Sequence, residues 1–129
     1  MLLHILRKVV KWHAREHGFP EAEADCLALT IDEAAGNVIR HTYAGQPGKM
    51  LSVEMVAYPD RMEFILEDAG PKVKGESARS GSLDSVPAEG PGTLFIQAYI
   101  DTSSYETSYG EGNRLKLVKF LPGKAPAKE

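Results

Sequence analysis

Cysteine is almost missing from this chain, with Cys26 the only one among 129 residues. A single thiol cannot close an internal disulfide or build a thiolate metal cluster, which is the pattern of a reducing compartment and sets the expectation of a cytoplasmic protein. Cys26 itself reads as a small buried hydrophobe. Long hydrophobic runs are missing as well. The opening MLLHILRKVV is interrupted by Arg7, Lys8 and Lys11, well before the roughly 20 apolar residues that a membrane span needs, and no targeting signal stands out. Nor is there an excess of positive charge. Fifteen Lys and Arg stand against 18 Asp and Glu, a formal net charge of -3, which excludes a broad basic face of the kind that grips nucleic acid. A local basic patch could still hold one small anion. There is no internal repeat and no low-complexity tract.

What is present suffices for one ordinary core. With 43% hydrophobic and 26% charged residues, a chain of this length forms a single domain, expected over residues 1–121 with a flexible tail at 122–129. Leu2, Leu3, Ile5, Leu6, Val9 and Val10 recur at helical spacing until Gly18 and Pro20, which predicts a first amphipathic helix. Glu21, Glu23 and Asp25 favour the start of a second helix, on which Leu27, Ile31, Ala34 and Val38 make an apolar stripe, ending between Tyr43 and Gly48. From Met50 to Tyr58 the residues Leu51, Val53, Met55 and Ala57 alternate with a more polar set, and Pro59 and Asp60 turn the chain into Met62, Phe64 and Leu66. This is the signature of an antiparallel hairpin with one face on a core. Pro71 to Glu89 is rich in Gly, Ser, Pro and charge and is expected to be a lid. TLFIQAYID suits a buried third helix, and Tyr105–Tyr109, the turn Gly110–Asn113 and Leu115–Phe120 complete a second hairpin.

The feature richest in chemistry is a row of three polar residues on the second helix. Glu33, Asn37 and His41 follow at spacings of four, and on an α-helix each such step turns only about 40°, so all three share a face. The amide oxygen of Asn37 suits a hard cation such as Mg²⁺, whose remaining ligands commonly come from water and substrate phosphates. Glu33, one turn earlier, is placed to accept a proton from a hydroxyl or water. A solvated helix face would show the same Glu and Asn spacing, and a histidine at a helix end is also a dipole partner.

Two glycine signals lie downstream. Glu67-Asp68-Ala69-Gly70 ends an apolar strand, where an Asp can accept from an exocyclic amino group and a glycine admits a flat ring, although the same residues also make a good turn. Gly90-Pro91-Gly92-Thr93, followed by Leu94, Phe95 and Ile96, would open a helix whose N–H groups and positive dipole end face an anion. Each signal is weak alone. The order ExxxN, DxG, GxG on a mixed chain, with a loop between the last two, is much more specific.

Taken together these residues resemble the GHKL ATPase superfamily, with its Bergerat ATP-binding fold, and within it the serine kinases that act as anti-sigma factors in bacterial partner switching. LALTIDEAAGNVIRHTY looks like the N box, EDAG like the first glycine box, GPGTLFIQAYID like the second and GEGNRLKLVKFL like the closing strand. The likeness runs from about Leu3 to Leu121. It implies an α/β fold, an α+β two-layer sandwich with a mixed, mostly antiparallel sheet covered on one face by helices. It also implies ATP and Mg²⁺ as cofactors, Asn37 as the metal ligand and Glu33 as the base for the attacking hydroxyl. Asp68 would bind the adenine amino group with Gly70 beside the ring, and His41 would sit near the nucleotide. Gly90, Gly92, Thr93 and Leu94 would line the triphosphate under a lid at 71–89, with Lys72, Lys74 and Arg79 as charge-neutralising candidates. The partners implied are a STAS-type anti-anti-sigma protein, whose serine is phosphorylated, and a sigma factor. A homodimer is possible, and neither direct nucleic-acid nor membrane binding is expected.

The chain departs from that pattern in four places. Lys72 stands where the first glycine box has a further glycine, Ala88 and Glu89 stand where relatives carry an arginine, and Asn113 replaces a threonine of the closing strand. Relatives also have a strand before the first helix, and this sequence begins too late to include one, which would leave a sheet edge unpaired. A regulatory module of the same fold without kinase activity is the alternative these changes raise. The detached ATP-binding domain of a sensor histidine kinase is a third.

Overall fold

In the computed structural model, residues 2–42, 49–70, 99–106 and 112–124 are described. The first element, α1 (Leu2–His17), buries Val10 and Ala14 completely, with Leu6 partly buried one turn before them. It ends where Gly18 adopts a φ of 111°. The Gly18 N–H then donates to the Arg15 carbonyl at 3.1 Å and the Phe19 N–H to the Ala14 carbonyl at 3.0 Å. This double bond satisfies two carbonyls of the last turn, and buried Phe19 seals the exit. Ile5 and Val9 do not join that inner stripe. They are exposed on the other side of the helix, so the apolar residues described between Ile5 and Val10 divide into two faces.

The second helix, α2 (Glu21–Asn37), starts after Pro20 with Glu21 and Glu23 in its first turn, where carboxylates complement the positive end of the helix dipole. Its buried residues include Ala24, Ala28, Ala34, Ala35 and Gly36. These small side chains let α1 and the sheet approach its axis closely, with Leu27 and Ile31 filling the space between. Cys26 is half-buried rather than fully enclosed, because it lies beside the contact stripe and not within it. At Val38 the winding changes, and residues Val38–Thr42 form a π-helical turn.

Four strands follow: β1 (Leu51–Tyr58), β2 (Arg61–Asp68), β3 (Thr102–Tyr105) and β4 (Asn113–Phe120), in the spatial order β1-β2-β4-β3. Every ladder among the described strands is antiparallel, so the parallel pairing of a mixed sheet is not found among them. Met62, Phe64 and Leu66 of β2, with Leu115 and Leu117 of β4, face the two helices and form one core with them. The opposite face sets buried Ile65 and Val118 among ion-paired side chains. There Glu63 receives Arg61 at 2.8 Å and Lys116 at 3.7 Å, and Arg114 meets Glu67 at 3.2 Å and Glu106 at 3.4 Å.

The first hairpin forms where expected, turning at Pro59 and Asp60. The outer strand of the second hairpin starts earlier than expected, at Thr102 rather than Tyr105, because Asp101 already engages β4: its N–H donates to the Val118 carbonyl at 3.0 Å and its carboxylate accepts from the Phe120 N–H at 2.8 Å. Residues 107–109 lie outside the described residues. Tyr99 is the last helical residue before this strand, and the remainder of the expected third helix lies outside the described residues, as do the lid at 71–89 and residues 125–129 of the tail. Tyr99 is tied on two sides. Its hydroxyl donates to the Glu23 carbonyl at 3.2 Å, and Lys119 lies over its ring at 4.2 Å. Burial, then the Glu23 charge, pushes its phenol pKa well above the usual range. Among the described residues no helix is long and apolar enough to cross a membrane.

One close approach fixes the end of the central ladder. Gly112 has a φ of 87°, and a Cβ there would overlap the carbonyl of Asp68. Gly112→Ala should therefore cost about 1–3 kcal/mol from backbone conformation alone, with the clash adding to it, measurable by urea unfolding. A variant as stable as the parent would show that this approach is not tight. Phe64, 0% exposed at the centre of the core, should cost about 3–5 kcal/mol when truncated to Ala in the same assay.

Candidate functional site

Glu33 and Asn37 come from the last turns of α2, where the helix leaves the core and one side of it becomes accessible. Both are partly exposed, and between them lies a residue that the spacing argument overlooked. The Arg40 guanidinium donates to the Asn37 amide oxygen at 2.9 Å and stands 3.8 Å from the Glu33 carboxylate. It can do so because position 36 is glycine: a Cβ there would come within 3.0 Å of the Arg40 guanidinium. A cation thus already sits against the two oxygens assigned to catalysis and metal binding. The sequence signal was Arg40 itself, three residues past Asn37, the spacing at which helical side chains meet.

His41 belongs to the π-helical turn Val38–Thr42 that continues α2. Its side chain lies outside the described residues. On the other flank of Glu33, Asp32 faces α1, with its Oδ2 3.4 Å from the Arg7 guanidinium and its buried Oδ1 accepting no hydrogen bond among the described residues. Arg7 thereby anchors α1 beside the turn of α2 that carries Glu33.

Asp68 occupies the last position of β2, directly opposite Asn113 of β4. The pattern that points Met62, Phe64 and Leu66 inward points Asp68 the same way, so the core stripe ends in a carboxylate that is only 8% exposed. Its Oδ1 accepts from the Gly70 N–H at 2.9 Å and from the Asn113 side-chain amide at 3.0 Å. With both of these bonds on one oxygen, Oδ2 is the atom suited to accept from a bound amino group. Tyr105 lies close enough that, after burial, the charge of Asp68 is a second cause raising its phenol pKa. Asn113 was noted only as a departure from a threonine; the structure makes it a direct partner of Asp68.

The expected residues therefore fall into two described groups. Glu33 and Asn37 gather around Arg40 on the helical layer, and Asp68, Gly70 and Asn113 gather at the end of the β2·β4 ladder, on the sheet face that the helices cover. Gly90, Gly92, Thr93 and Leu94 lie outside the described residues, as do Lys72, Lys74 and Arg79. No group of three or more His, Cys, Asp or Glu able to cage a metal is found among the described residues. The donor set around Asn37, one neutral oxygen and one carboxylate already facing a guanidinium, fits a divalent cation that takes its other ligands from phosphates and water.

Comparison with known proteins agrees with this architecture. The model of the histidine kinase-like ATPase domain family matches residues 2–119. The chain is similar to the serine-protein kinase RsbW of Bacillus pumilus (strain SAFR-032), 25% identical over 127 residues covering 91% of this chain and 77% of that protein. It is also similar to the serine-protein kinase RsbW of Bacillus cereus (strain AH187), 22% identical over 125 residues covering 91% of this chain and 76% of that protein. Among solved structures, the histidine kinase domain of the Erythrobacter litoralis EL346 blue-light activated histidine kinase shares the fold with a TM-score of 0.56 at 16% identity, over 81% of this chain and 48% of that one. This chain spans about half the length of that structure. Sheet, helices and family match together show that the chain belongs to the histidine kinase-like ATPase domain family, in the GHKL superfamily, and resembles the serine-protein kinases RsbW.

Proposed function

We propose that this chain is an ATP- and Mg²⁺-dependent serine protein kinase that phosphorylates a STAS-type antagonist and holds a sigma factor inactive. The observation that carries the reading is the pairing of Glu33 and Asn37 about a single cationic group. Two oxygens that already accommodate a guanidinium provide the negative potential that a divalent cation needs. Asp68 would accept from the adenine amino group through Oδ2, held in place by Asn113 and Gly70. Mg²⁺, when bound, would supply neutralisation of phosphate charge, with Asn37 as its protein ligand. Glu33 would take the proton of the attacking serine hydroxyl as that oxygen bonds to the terminal phosphorus and the bond to the departing ADP breaks. Gly90, Gly92, Thr93 and Leu94 would hold the triphosphate, with His41 nearby and residues 71–89 as a lid.

A second reading, a partner-binding module without transfer, is favoured by the same guanidinium, since Arg40 already occupies the amide oxygen that the metal requires. Glu33→Gln separates the two. Under the kinase reading it should lower phosphoryl transfer from labelled ATP to the antagonist by about 10²–10⁴-fold while leaving calorimetric ATP affinity unchanged. Intact ATP binding with no transfer even by the parent protein would sink the kinase claim. Arg40→Ala should lower the Mg²⁺ concentration needed for half-maximal ATP binding by roughly threefold to tenfold, as expected for loss of a half-exposed competing charge. An increase instead would mean that Arg40 holds the phosphates.

A further inference from the structure

β4 runs between β2 and β3, and the side chains flanking it on the helix-covered face change character near its start. In the row of Leu115 the flanking residue on β3 is Tyr105, and in the next row the flanking residue on β2 is Asp68, opposite Asn113. Neighbouring strands lie about 4.8 Å apart, so the strands carrying Tyr105 and Asp68 are separated by about 10 Å, with β4 between them. Asn113 turns its amide toward β2, donating to Asp68 Oδ1 at 3.0 Å. From the other side, the ring of Tyr105 packs against the core and is only partly exposed. Its hydroxyl makes no hydrogen bond among the described residues, although a half-buried phenol usually finds a partner. The packing needs only the ring, which a phenylalanine would supply. After burial, the charge of Asp68 is the second cause that holds this phenol above its usual pKa, so the hydroxyl keeps its proton and acts as a donor.

We propose that Tyr105 is a specificity-determining residue of the nucleotide site, its hydroxyl donating to the purine ring nitrogen beside the amino group that Asp68 accepts. The inference rests on the ATP reading above and adds a donor to it. Adenine carries its amino group between two ring nitrogens that accept, so a donor and an acceptor held side by side match its edge. Guanine presents an acceptor oxygen at the same position and would set it against the Asp68 carboxylate. The carboxylate senses the amino group alone. With the phenol as well, the base is held at two points in its plane, where a single bond would let it swivel. The ring of Tyr105 is already fixed by the core, so presenting the hydroxyl costs little further ordering when the base binds.

Calorimetric titration of the full chain and of Tyr105→Phe with ATP, and with ATP analogues carrying carbon in place of purine N1 or N7, tests this. Each analogue lacks one of the two ring nitrogens beside the amino group, and phenylalanine keeps the packed ring while removing the donor. Tyr105→Phe should weaken ATP binding roughly threefold to tenfold, as for loss of one neutral hydrogen bond. One of the two analogues should bind the parent more weakly by a similar factor, and for that analogue the substitution should cost nothing further. A double-mutant cycle then reads the coupling between hydroxyl and nitrogen directly. ATP affinity unchanged by Tyr105→Phe, or an equal loss with all three nucleotides, would overturn the proposal while leaving the ATP reading intact. Should Tyr105→Phe fail to unfold cooperatively in urea, the parent decides by itself, since equal affinity for the three nucleotides would overturn the proposal as well. A parent that binds no ATP at all would overturn both readings together.

Discussion

At Gly112 the backbone runs against the carbonyl of Asp68 so closely that only a residue without a side chain passes. That approach closes the ladder between β2 and β4, which pairs without interruption from Arg61 and Phe120 to Asp68 and Asn113. Two consequences follow from one register. Along most of the ladder the inward positions carry Met62, Phe64, Leu66, Leu115 and Leu117, and these hold the helices. At its end the same inward positions carry Asp68 and Asn113, so a hydrogen-bonded polar pair closes the core. A register slip of one residue would lose both, since it would turn every side chain to the opposite face.

The helical layer meets this sheet with its own transition from packing to chemistry. Through Ala34, Ala35 and Gly36 the end of α2 is buried; at Asn37 the α-helix stops, and the wider turn that follows carries Arg40 back over Gly36. The guanidinium satisfies Asn37 and offsets Glu33 without a bound ion. The geometry thus pairs two oxygens that are accessible enough to exchange their cation.

Charge is managed differently on the two outer surfaces. The face of the sheet turned away from the helices carries Arg61, Glu63, Glu67, Arg114 and Lys116 in ion pairs with one another. The outer side of α1 keeps Lys8 and Arg15 next to exposed Ile5, Val9 and Trp12. The contrast lies in neighbours: cross-strand residues of opposite sign meet directly, while the outward side of α1 has nothing opposite it among the described residues.

Much of this was legible in the sequence because it depends on local periodicity and turn chemistry. The alternation of Met62, Phe64 and Leu66, the Pro59-Asp60 turn, the helix stop at Gly18 and the pairing of Glu33 with Asn37 all follow from spacings of two or four. The order of motifs was enough to reach the family. What the sequence could not set was anything decided by contacts between distant segments. The strand at Thr102–Tyr105 was placed late because Asp101 is captured by β4. Asn113 became a partner of Asp68 only through register, and Ile5 and Val9 parted from Leu6 and Val10 because α2 covers one side of α1. Local patterns follow from backbone geometry that every residue carries with it, whereas these three outcomes depend on which surfaces meet, and only the tertiary structure decides that.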